Sequence, residues 1–321
     1  MQHRPLGRTK IQMTPIIFGG WQAGKSGWTG IDDTETITAH RAALDAGVTT
    51  FDTAEVYGEG HSERILNQAL GTKRDQIVVA TKVFADHLKH DQVIEACERS
   101  LKNLGTDRID LYQIHWPSGS FGTEVVPIEE TMGALSQLKE QGKIRAIGVS
   151  NFSRAQLQEA AQFGRIESLQ PPYSLFWRKV EADSSAYCVQ NKISIIAYSP
   201  MAQGLLTGKF KRGHTFEEGD NRVDNKLFSG ENYERAQSAL TRLKPLADKY
   251  GISVGQLSLA WLIAQPQASA IVGARNAEQA VQNAAAGDLE LDEDDLDAID
   301  EIGRTVTDRL DTNPNMWSWG E

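Results

Sequence analysis

The sequence predicts an α/β protein, a (β/α)8 TIM barrel formed as a single domain by residues 1–321. Eight short β-rich runs each precede helical sequence, and this alternation is typical of a parallel sheet. Eight repeats of the unit favour closure into a barrel, and no linker or change of composition divides the chain. An open, doubly wound sheet is the alternative.

The predicted strands are short apolar runs at residues 16–21, 49–51, 77–81, 111–114, 146–149, 167–169, 194–198 and 270–272. Helical spacing of apolar residues predicts helices at 34–46, 63–70, 91–104, 128–140, 153–163, within 181–190, and at 232–250, 254–265 and 277–286. Asp32 or Asp33 is the expected N-cap of the first helix, Gly47 its C-cap, and Ser153 caps a later helix.

Three further segments extend the barrel. Residues 6–13 are expected to form an N-terminal hairpin, because Gly7 and Thr9-Lys10 lie between apolar residues. A long loop, residues 201–231, follows the seventh strand. The residues after Asp292 form a C-terminal tail.

Composition narrows the function. The net charge is −10 and 40% of the residues are hydrophobic, which argues against nucleic acid, since its partners carry a clustered positive surface. No apolar signal segment and no run of about 18 apolar residues is visible, so we expect a cytoplasmic protein without a membrane partner. Cys97 and Cys188 lie in predicted helices and are expected to be reduced and buried.

Ionisable residues stand at three consecutive predicted strand ends: Asp52, Lys82 and His115. Tyr57 lies in the loop after Asp52. In a barrel these side chains meet above the carboxyl ends of the strands, where chemistry collects. They suggest proton donation to a carbonyl by Tyr57. Lys82 would lower the pKa of the phenol, Asp52 would hold Lys82, and a neutral His115 would orient the carbonyl oxygen.

Each residue alone has an ordinary structural interpretation, as a turn residue, loop aromatic, exposed lysine or packing histidine. A metal-dependent hydrolase that uses Asp52, His61 and His115 is a further possibility. It is disfavoured because no His-x-His pair follows the first strand, and we expect no metal.

Five segments carry a family resemblance. They are Phe-Asp-Thr-Ala-Glu-Val-Tyr-Gly at 51–58, Ala-Thr-Lys at 80–82, Asp-Leu-Tyr-Gln-Ile-His at 110–115, Ile-Gly-Val-Ser-Asn-Phe at 147–152 and Ala-Tyr-Ser-Pro at 197–200. In this order they closely resemble the aldo-keto reductases, in the bacterial branch near the inositol-operon reductases and the potassium-channel β-subunits.

The resemblance implies an NADP(H)-dependent oxidoreductase. Such an enzyme reduces small aldehydes or ketones, or oxidises the matching alcohols or sugars, by hydride transfer. Asp52, Tyr57, Lys82 and His115 match the family's catalytic tetrad, with Tyr57 as proton donor. A monomer or weak homo-oligomer is expected. A cofactor-binding sensory or partner module with little turnover is the alternative.

The resemblance also implies which residues bind the cofactor. These are Gly20, Trp21, Asp52, Ser150, Asn151, Gln170, Tyr198, Ser199, Pro200, Met201, Gly204, Leu206, Gly208, Lys209, Gly273, Arg275, Gln279 and Asn283. Arg275 would hold the 2′-phosphate in a bidentate contact, which favours NADP over NAD. Gln282 stands where relatives often carry a glutamate, and Val272 where they often carry a proline.

The substrate pocket is expected to include Trp21, Tyr57, His115 and Trp116. Its walls would come from residues 116–127, the 201–231 loop, and the tail with Trp317 and Trp319; Trp28, Phe84 and Trp177 are further aromatic candidates. Aromatic walls suit aldehydes, ketones or the apolar faces of sugars. Loops decide the substrate in this fold, so the sequence does not name it.

Overall fold

A computed structural model describes residues 1–217, 219–313 and 315–317. In this part of the chain, eight parallel strands form a closed barrel. In chain order they are β3 (Ile16–Gly19), β4 (Thr50–Asp52), β5 (Val78–Val83), β6 (Ile109–Ile114), β7 (Ile144–Ser150), β8 (Ser168–Gln170), β9 (Ser194–Ala197) and β10 (Ala268–Val272). The predicted (β/α)8 barrel is confirmed.

The barrel closes between its first and last strands. Ile16 of β3 is aligned with Ala270 of β10, and β10 pairs on its other side with β9. Every strand therefore has two parallel neighbours, and the open-sheet alternative is wrong. Parallel strands buried on both faces read as continuous apolar runs, which is the pattern seen in the sequence.

The helices around the barrel are α1 (Asp33–Asp45), α2 (His61–Leu70), α3 (His90–Leu104), α4 (Ile128–Glu140), α5 (Arg154–Ala160), α6 (Ala186–Asn191), α7 (Gly230–Lys249), α8 (Val254–Ala264), α9 (Ala277–Ala285) and α10 (Glu293–Thr307). Asp32 caps α1 by accepting a bond from the Glu35 N–H, and Ser153 caps α5. Helix α5 ends three residues before the predicted end at Phe163, because the chain turns after Ala160.

An N-terminal hairpin lies at the opposite end of the barrel from the site. Its two short strands are β1 (Arg4–Pro5) and β2 (Gln12–Met13). The Arg4 guanidinium donates to the carbonyls of Ala268 and Ile263. The predicted hairpin is confirmed, but its first strand lies before the expected start of the hairpin at residue 6.

The two predicted segments after the seventh barrel strand, the long loop and the tail, have different structures. Between β9 and α7 the chain forms three short 3-10 turns, Ala202–Thr207, Asn221–Asp224 and Lys226–Phe228, and this is the predicted long loop. The tail after Asp292 begins with a 15-residue helix, α10, which the sequence analysis did not anticipate. Arg178 anchors this helix through an ion pair with Asp300 (2.6 Å).

The structure confirms the predicted burial of both cysteines and places Trp177 in the core. Cys97 in α3 and Cys188 in α6 are buried, unpaired thiols, and burial raises the pKa of each to about 12. Trp177 is fully buried and belongs to the core, not to a pocket. Among the described helices none is both long and apolar enough to span a bilayer.

Candidate active site

A cavity of about 740 Å³ opens at the carboxyl ends of the strands. It brings together most of the residues that the sequence singled out. Those lining it are Trp21, Asp52, Tyr57, His115, Trp116, Ser150, Asn151, Gln170, Tyr198, Ser199, Pro200, Met201, Gly204, Lys209, Gly273, Arg275, Gln279 and Asn283.

Lys82 connects the ionisable residues from inside the barrel. It lies within β5 rather than just past the strand as predicted, and its side chain is fully buried. The ammonium donates to the Asp52 carboxylate (2.5 Å) and to the Thr53 carbonyl (2.8 Å). It also donates to the Tyr57 hydroxyl at 3.4 Å. A buried cation is thus paired and aimed at the phenol.

The pKa values of this group reflect burial and mutual charge. Burial lowers the pKa of Lys82, but the Asp52 carboxylate and Tyr57 together raise it above its ordinary value. Burial raises the pKa of Tyr57, and Lys82 lowers it by less. The expected influence of Lys82 on the phenol is present, yet the net shift is upward, because desolvation of the phenolate is the larger effect.

His115 follows β6 and lies edge-on to Tyr57, with ring centroids 5.6 Å apart. Burial, followed by the charge of Lys82, holds the pKa of His115 well below its ordinary value. The imidazole is therefore neutral near pH 7, as the sequence analysis required for orienting a carbonyl. A neutral imidazole still carries one N–H donor.

The Tyr57 loop is fixed by two contacts that the sequence analysis missed. A Cβ at Gly24 would come within 2.7 Å of the Tyr57 carbonyl carbon, so only glycine fits beside this loop. Glu55 accepts hydrogen bonds from the Phe84 N–H (2.9 Å) and from Arg99 (3.1 Å). Both contacts position the tyrosine. Neither residue forms a recognisable motif that would have revealed this.

Amide and hydroxyl groups line the cavity beside Asp52. Asn151 donates to the His115 carbonyl (3.0 Å) and accepts from the Tyr198 hydroxyl (2.8 Å). Its backbone lies in the left-handed region, with φ of 62°. Gln170 donates to Asp52 Oδ2 at 2.9 Å. Strained backbone of this kind persists where the surroundings fix it, and it collects at functional sites.

Three cations converge on the far end of the cavity: Lys209, Arg222 and Arg275. Burial, then the charges of Arg222 and Arg275, lowers the pKa of Lys209. Asp220 forms an ion pair with Arg222, so the group keeps an excess of positive charge. The sequence analysis missed Arg222, because the 201–231 loop contains several cations and nothing in their spacing distinguishes this one.

A sequence model of the aldo/keto reductase family matches residues 15–304. The chain belongs to the aldo/keto reductase family.

Several members of the family are similar over nearly their whole length. The Bacillus subtilis aldo-keto reductase YhdN is 40% identical over 87% of this chain and 86% of its own. An Escherichia coli NADH-specific methylglyoxal reductase is 33% identical over 95% and 99% of the two chains. A probable voltage-gated potassium channel subunit beta of Arabidopsis thaliana is 31% identical over 90% and 92%. The predicted branch of the family is thereby confirmed.

Solved structures of other aldo-keto reductases have the same fold. The glycerol dehydrogenase AKR11B4 from Gluconobacter oxydans superposes with a TM-score of 0.87 at 32% identity, covering 97% of this chain and 98% of that one. An aldo/keto reductase from Klebsiella pneumoniae, solved with NADP and acetate, has a TM-score of 0.75 at 29% identity, covering 98% and 97%.

Some expected positions of this aldo/keto reductase do not line the cavity. Gly20 lies behind its wall, where its N–H donates to the Asp52 carbonyl (2.8 Å). The Leu206 side chain is fully buried, and Gly208 ends a 3-10 turn. Trp317 lines the cavity, whereas Trp319 falls outside the described residues. The parts each would play in binding stay predictions.

The structure does not bring together the three residues of the alternative metal site. His61 bonds to Asp33 (3.0 Å) at the start of α2, instead of joining Asp52 and His115. Within residues 1–217, 219–313 and 315–317, no three His, Cys, Asp or Glu side chains are grouped as metal ligands.

Proposed function

We propose that this aldo/keto reductase reduces small aldehydes or ketones with NADPH, and oxidises the matching alcohols in reverse, with Tyr57 as proton donor. One observation carries the proposal. The Tyr57 hydroxyl, the Lys82 ammonium and the Asp52 carboxylate form one linked group beside a neutral His115. Such a group can give a proton to a carbonyl oxygen and keep the resulting phenolate stable.

The lining of the cavity fits a nicotinamide dinucleotide. Lys209, Arg222 and Arg275 suit its phosphates, since guanidinium and ammonium groups bind phosphate strongly. Asn151 and Gln170, near the tetrad, suit its neutral carboxamide. When bound, the reduced cofactor supplies the hydride.

The residues of the chain then control the proton. Because the pKa of Tyr57 is raised, the phenol is fully protonated near pH 7 and holds the proton to be given. Its O–H bond breaks as the carbonyl oxygen gains that proton. The phenolate left behind lies 3.4 Å from the Lys82 ammonium, whose charge is held in place by Asp52. The neutral His115 orients the carbonyl oxygen toward the phenol.

NADPH is proposed over NADH because of Arg275. The Arg275 backbone N–H donates to Gln279 (2.9 Å) at the start of α9, and Arg275 lines the cavity, so its guanidinium is proposed to bind the 2′-phosphate. Helix α9 adds a favourable dipole for an anion at its N-terminus. The NADH-specific relative shows that the family also contains the opposite preference.

The test is NADPH oxidation against aromatic aldehydes, α-dicarbonyls and aldoses, with wild type and Tyr57→Phe compared. The variant should bind NADPH as wild type does and lose turnover by about a hundredfold or more, because only the proton donor is removed. If the variant kept half of the wild-type turnover, the acid role would belong to another group, with His115 the first to examine.

A cofactor-binding partner module is the second candidate, and the similarity to a channel β-subunit favours it. NADPH binding without turnover of any carbonyl in wild type would support this candidate over the reductase.

A further inference from the structure

A row of polar side chains crosses the interior of the barrel. Lys82 of β5 is aligned with Gln113 of β6. Gln113 is aligned in turn with Gly148 of β7, and Gly148 with Ser168 of β8. The side chains of Lys82, Gln113 and Ser168 are fully buried. Branched apolar residues usually fill the interior of such a barrel, so polar side chains at these positions call for a functional reason.

Gly148 allows the side chains on either side of it to meet. A Cβ at this position would collide with the Ser168 hydroxyl and lie 3.0 Å from Gln113 Cγ. In its absence the Ser168 hydroxyl donates to Gln113 Oε1 at 3.4 Å, across the intervening strand. The backbone of Gly148 is not left-handed. The glycine is therefore needed for space and not for its conformational freedom.

Gln113 joins this row to the proposed active site. Its Nε2 donates to Asp52 Oδ2 at 3.4 Å. Gln170 Nε2 donates to the same Asp52 oxygen at 2.9 Å and to Gln113 Oε1 at 3.4 Å. Because a carboxylate only accepts hydrogen bonds, Asp52 draws the NH2 group of both amides toward itself. Gln113 thus links the carboxylate that holds Lys82 to the amide of Gln170.

These bonds fix which way the Gln170 amide faces. An amide NH2 group has two hydrogens, and those of Gln170 are bonded to Asp52 and to Gln113. Gln170 lines the cavity, so its remaining polar atom, the acceptor Oε1, is left for a ligand there. Removing Gln113 Oε1 would leave one hydrogen without an acceptor and release the amide to turn.

We propose that Gln113 is a positioning residue for both halves of the reaction. Through Gln170 it presents a hydrogen-bond acceptor to the carboxamide of the nicotinamide. Through Asp52 it keeps the carboxylate aligned with the Lys82 ammonium. Gln113 does not line the cavity, and it acts only through these two residues. The catalytic half of the inference rests on the proposed function, whereas the binding half needs only a nicotinamide dinucleotide in the cavity.

The binding half is tested with NADP⁺ and 2′,5′-ADP, titrated by calorimetry into wild type and Gln113→Met. The second compound keeps the adenosine and its 2′-phosphate but lacks the nicotinamide. Methionine has a similar length but forms neither of the amide hydrogen bonds. The Kd for NADP⁺ should rise about three- to tenfold, while the Kd for 2′,5′-ADP stays within about twofold. An unchanged Kd for NADP⁺, or an equal rise for both compounds, would overturn the proposal.

Gln113→Asn is the milder variant, since it keeps the amide but withdraws it by one methylene from Asp52. It should show the same selective loss of NADP⁺ affinity. Thr131→Val is the matched control, because Thr131 is also buried and its hydroxyl donates to the Leu88 carbonyl (2.7 Å), outside the cavity lining. The control should leave both Kd values unchanged. A loss of NADP⁺ affinity in Thr131→Val equal to that in Gln113→Met would refute the role of Gln113.

A double-mutant cycle tests whether Gln113 acts through Gln170. In a Gln170→Met background, Gln113→Met should change the Kd for NADP⁺ by less than about twofold, since the amide that it orients is gone. A full effect of Gln113→Met in that background would mean that it reaches the nicotinamide by another route, and the assignment would fail.

Turnover separates this inference from the proposed function. At saturating NADPH, Gln113→Met should lower kcat for an aldehyde about tenfold and leave its KM unchanged, because Asp52 and Lys82 lose their alignment while the substrate pocket is intact. An unchanged kcat would overturn the catalytic half. Turnover in wild type, with unaltered NADP⁺ affinity in Gln113→Met, would reject the positioning of Gln170 and keep the reductase. Selective loss of NADP⁺ affinity in the variant, without turnover in wild type, would keep that positioning and reject the reductase.

Discussion

His40 gives a prediction about stability that the structure makes quantitative. Its imidazole is buried between Phe18 (centroids 4.2 Å apart) and Phe51 (6.0 Å, nearly parallel). Nδ1 donates to the Thr36 carbonyl at 2.8 Å. Burial lowers the pKa of His40 from the ordinary 6.5 to about 4. The unfolded chain therefore binds a proton in a pH range where the folded protein does not.

The sign and size follow by linkage. Between pH 6.5 and pH 4 the unfolded state holds the extra proton, so acid lowers the free energy of unfolding, and the contribution is intact above pH 6.5. A pH of 5 is about 1.5 units below the pKa of His40 in the unfolded chain and still above its pKa in the folded protein. At about 1.4 kcal/mol per unit, roughly 2 kcal/mol of stability is lost between pH 7.5 and pH 5 through this residue.

The assay is urea unfolding at pH 7.5 and pH 5 for wild type and His40→Phe, which keeps a flat ring between Phe18 and Phe51. The variant should lose about 2 kcal/mol less than wild type on going to pH 5. The same double difference for His3→Gln, an exposed histidine, sets the background. If the two histidine variants shift alike, the folded pKa of His40 is not depressed and the reasoning fails.

Three other variants test the site. Lys82→Met should lower the free energy of unfolding by about 3–5 kcal/mol, since it strands a buried carboxylate on Asp52; a loss under 1 kcal/mol in urea titration would contradict this buried pairing. Gly24→Ala should reduce kcat by about ten- to a hundredfold by displacing the loop of the proposed acid, with Gly133→Ala, whose added Cβ meets nothing within 4 Å, as control. Arg275→Ala should weaken NADPH about tenfold or more and NADH little, by equilibrium titration; equal losses would remove Arg275 from cofactor choice.

The barrel was accessible from sequence because its signal is repeated. Eight apolar runs, each followed by a helix pattern, leave few other architectures, and the glycine and serine caps locate the helix ends. The tail helix α10 escaped because its first turn is acidic, Glu293-Asp294-Asp295, and reads as solvent-exposed chain. Acidic residues there favour a helix N-terminus, but the packing of α10 against α7 and its ion pair with Arg178 are visible only in the structure.

The sequence identified most residues of the site but not how deeply they are buried. Lys82 was expected outside its strand, because a lysine normally marks the point where an apolar run reaches water. The barrel interior instead supplies Asp52 as its partner, and no sequence pattern encodes a contact between two strands. The net pKa of Tyr57 depends on the balance of burial and charge, and this balance exists only in three dimensions.

The origin of the cavity lining in separate segments of the chain has a consequence for how this protein can change. The proposed tetrad is built partly into the barrel wall, with Lys82 inside β5, and the cations Lys209, Arg222 and Arg275 come from segments that follow β9 and β10. The segments with Phe84 and with Trp116 to Phe121 come from separate loops. Phe84 packs edge-on against His115 and donates its N–H to Glu55, so changes at Phe84 would also reach the Tyr57 loop, whereas Phe121 lies further along the loop after β6. New specificities can therefore arise most readily around Phe121 while the proposed chemistry is kept, and directed evolution should place its libraries there.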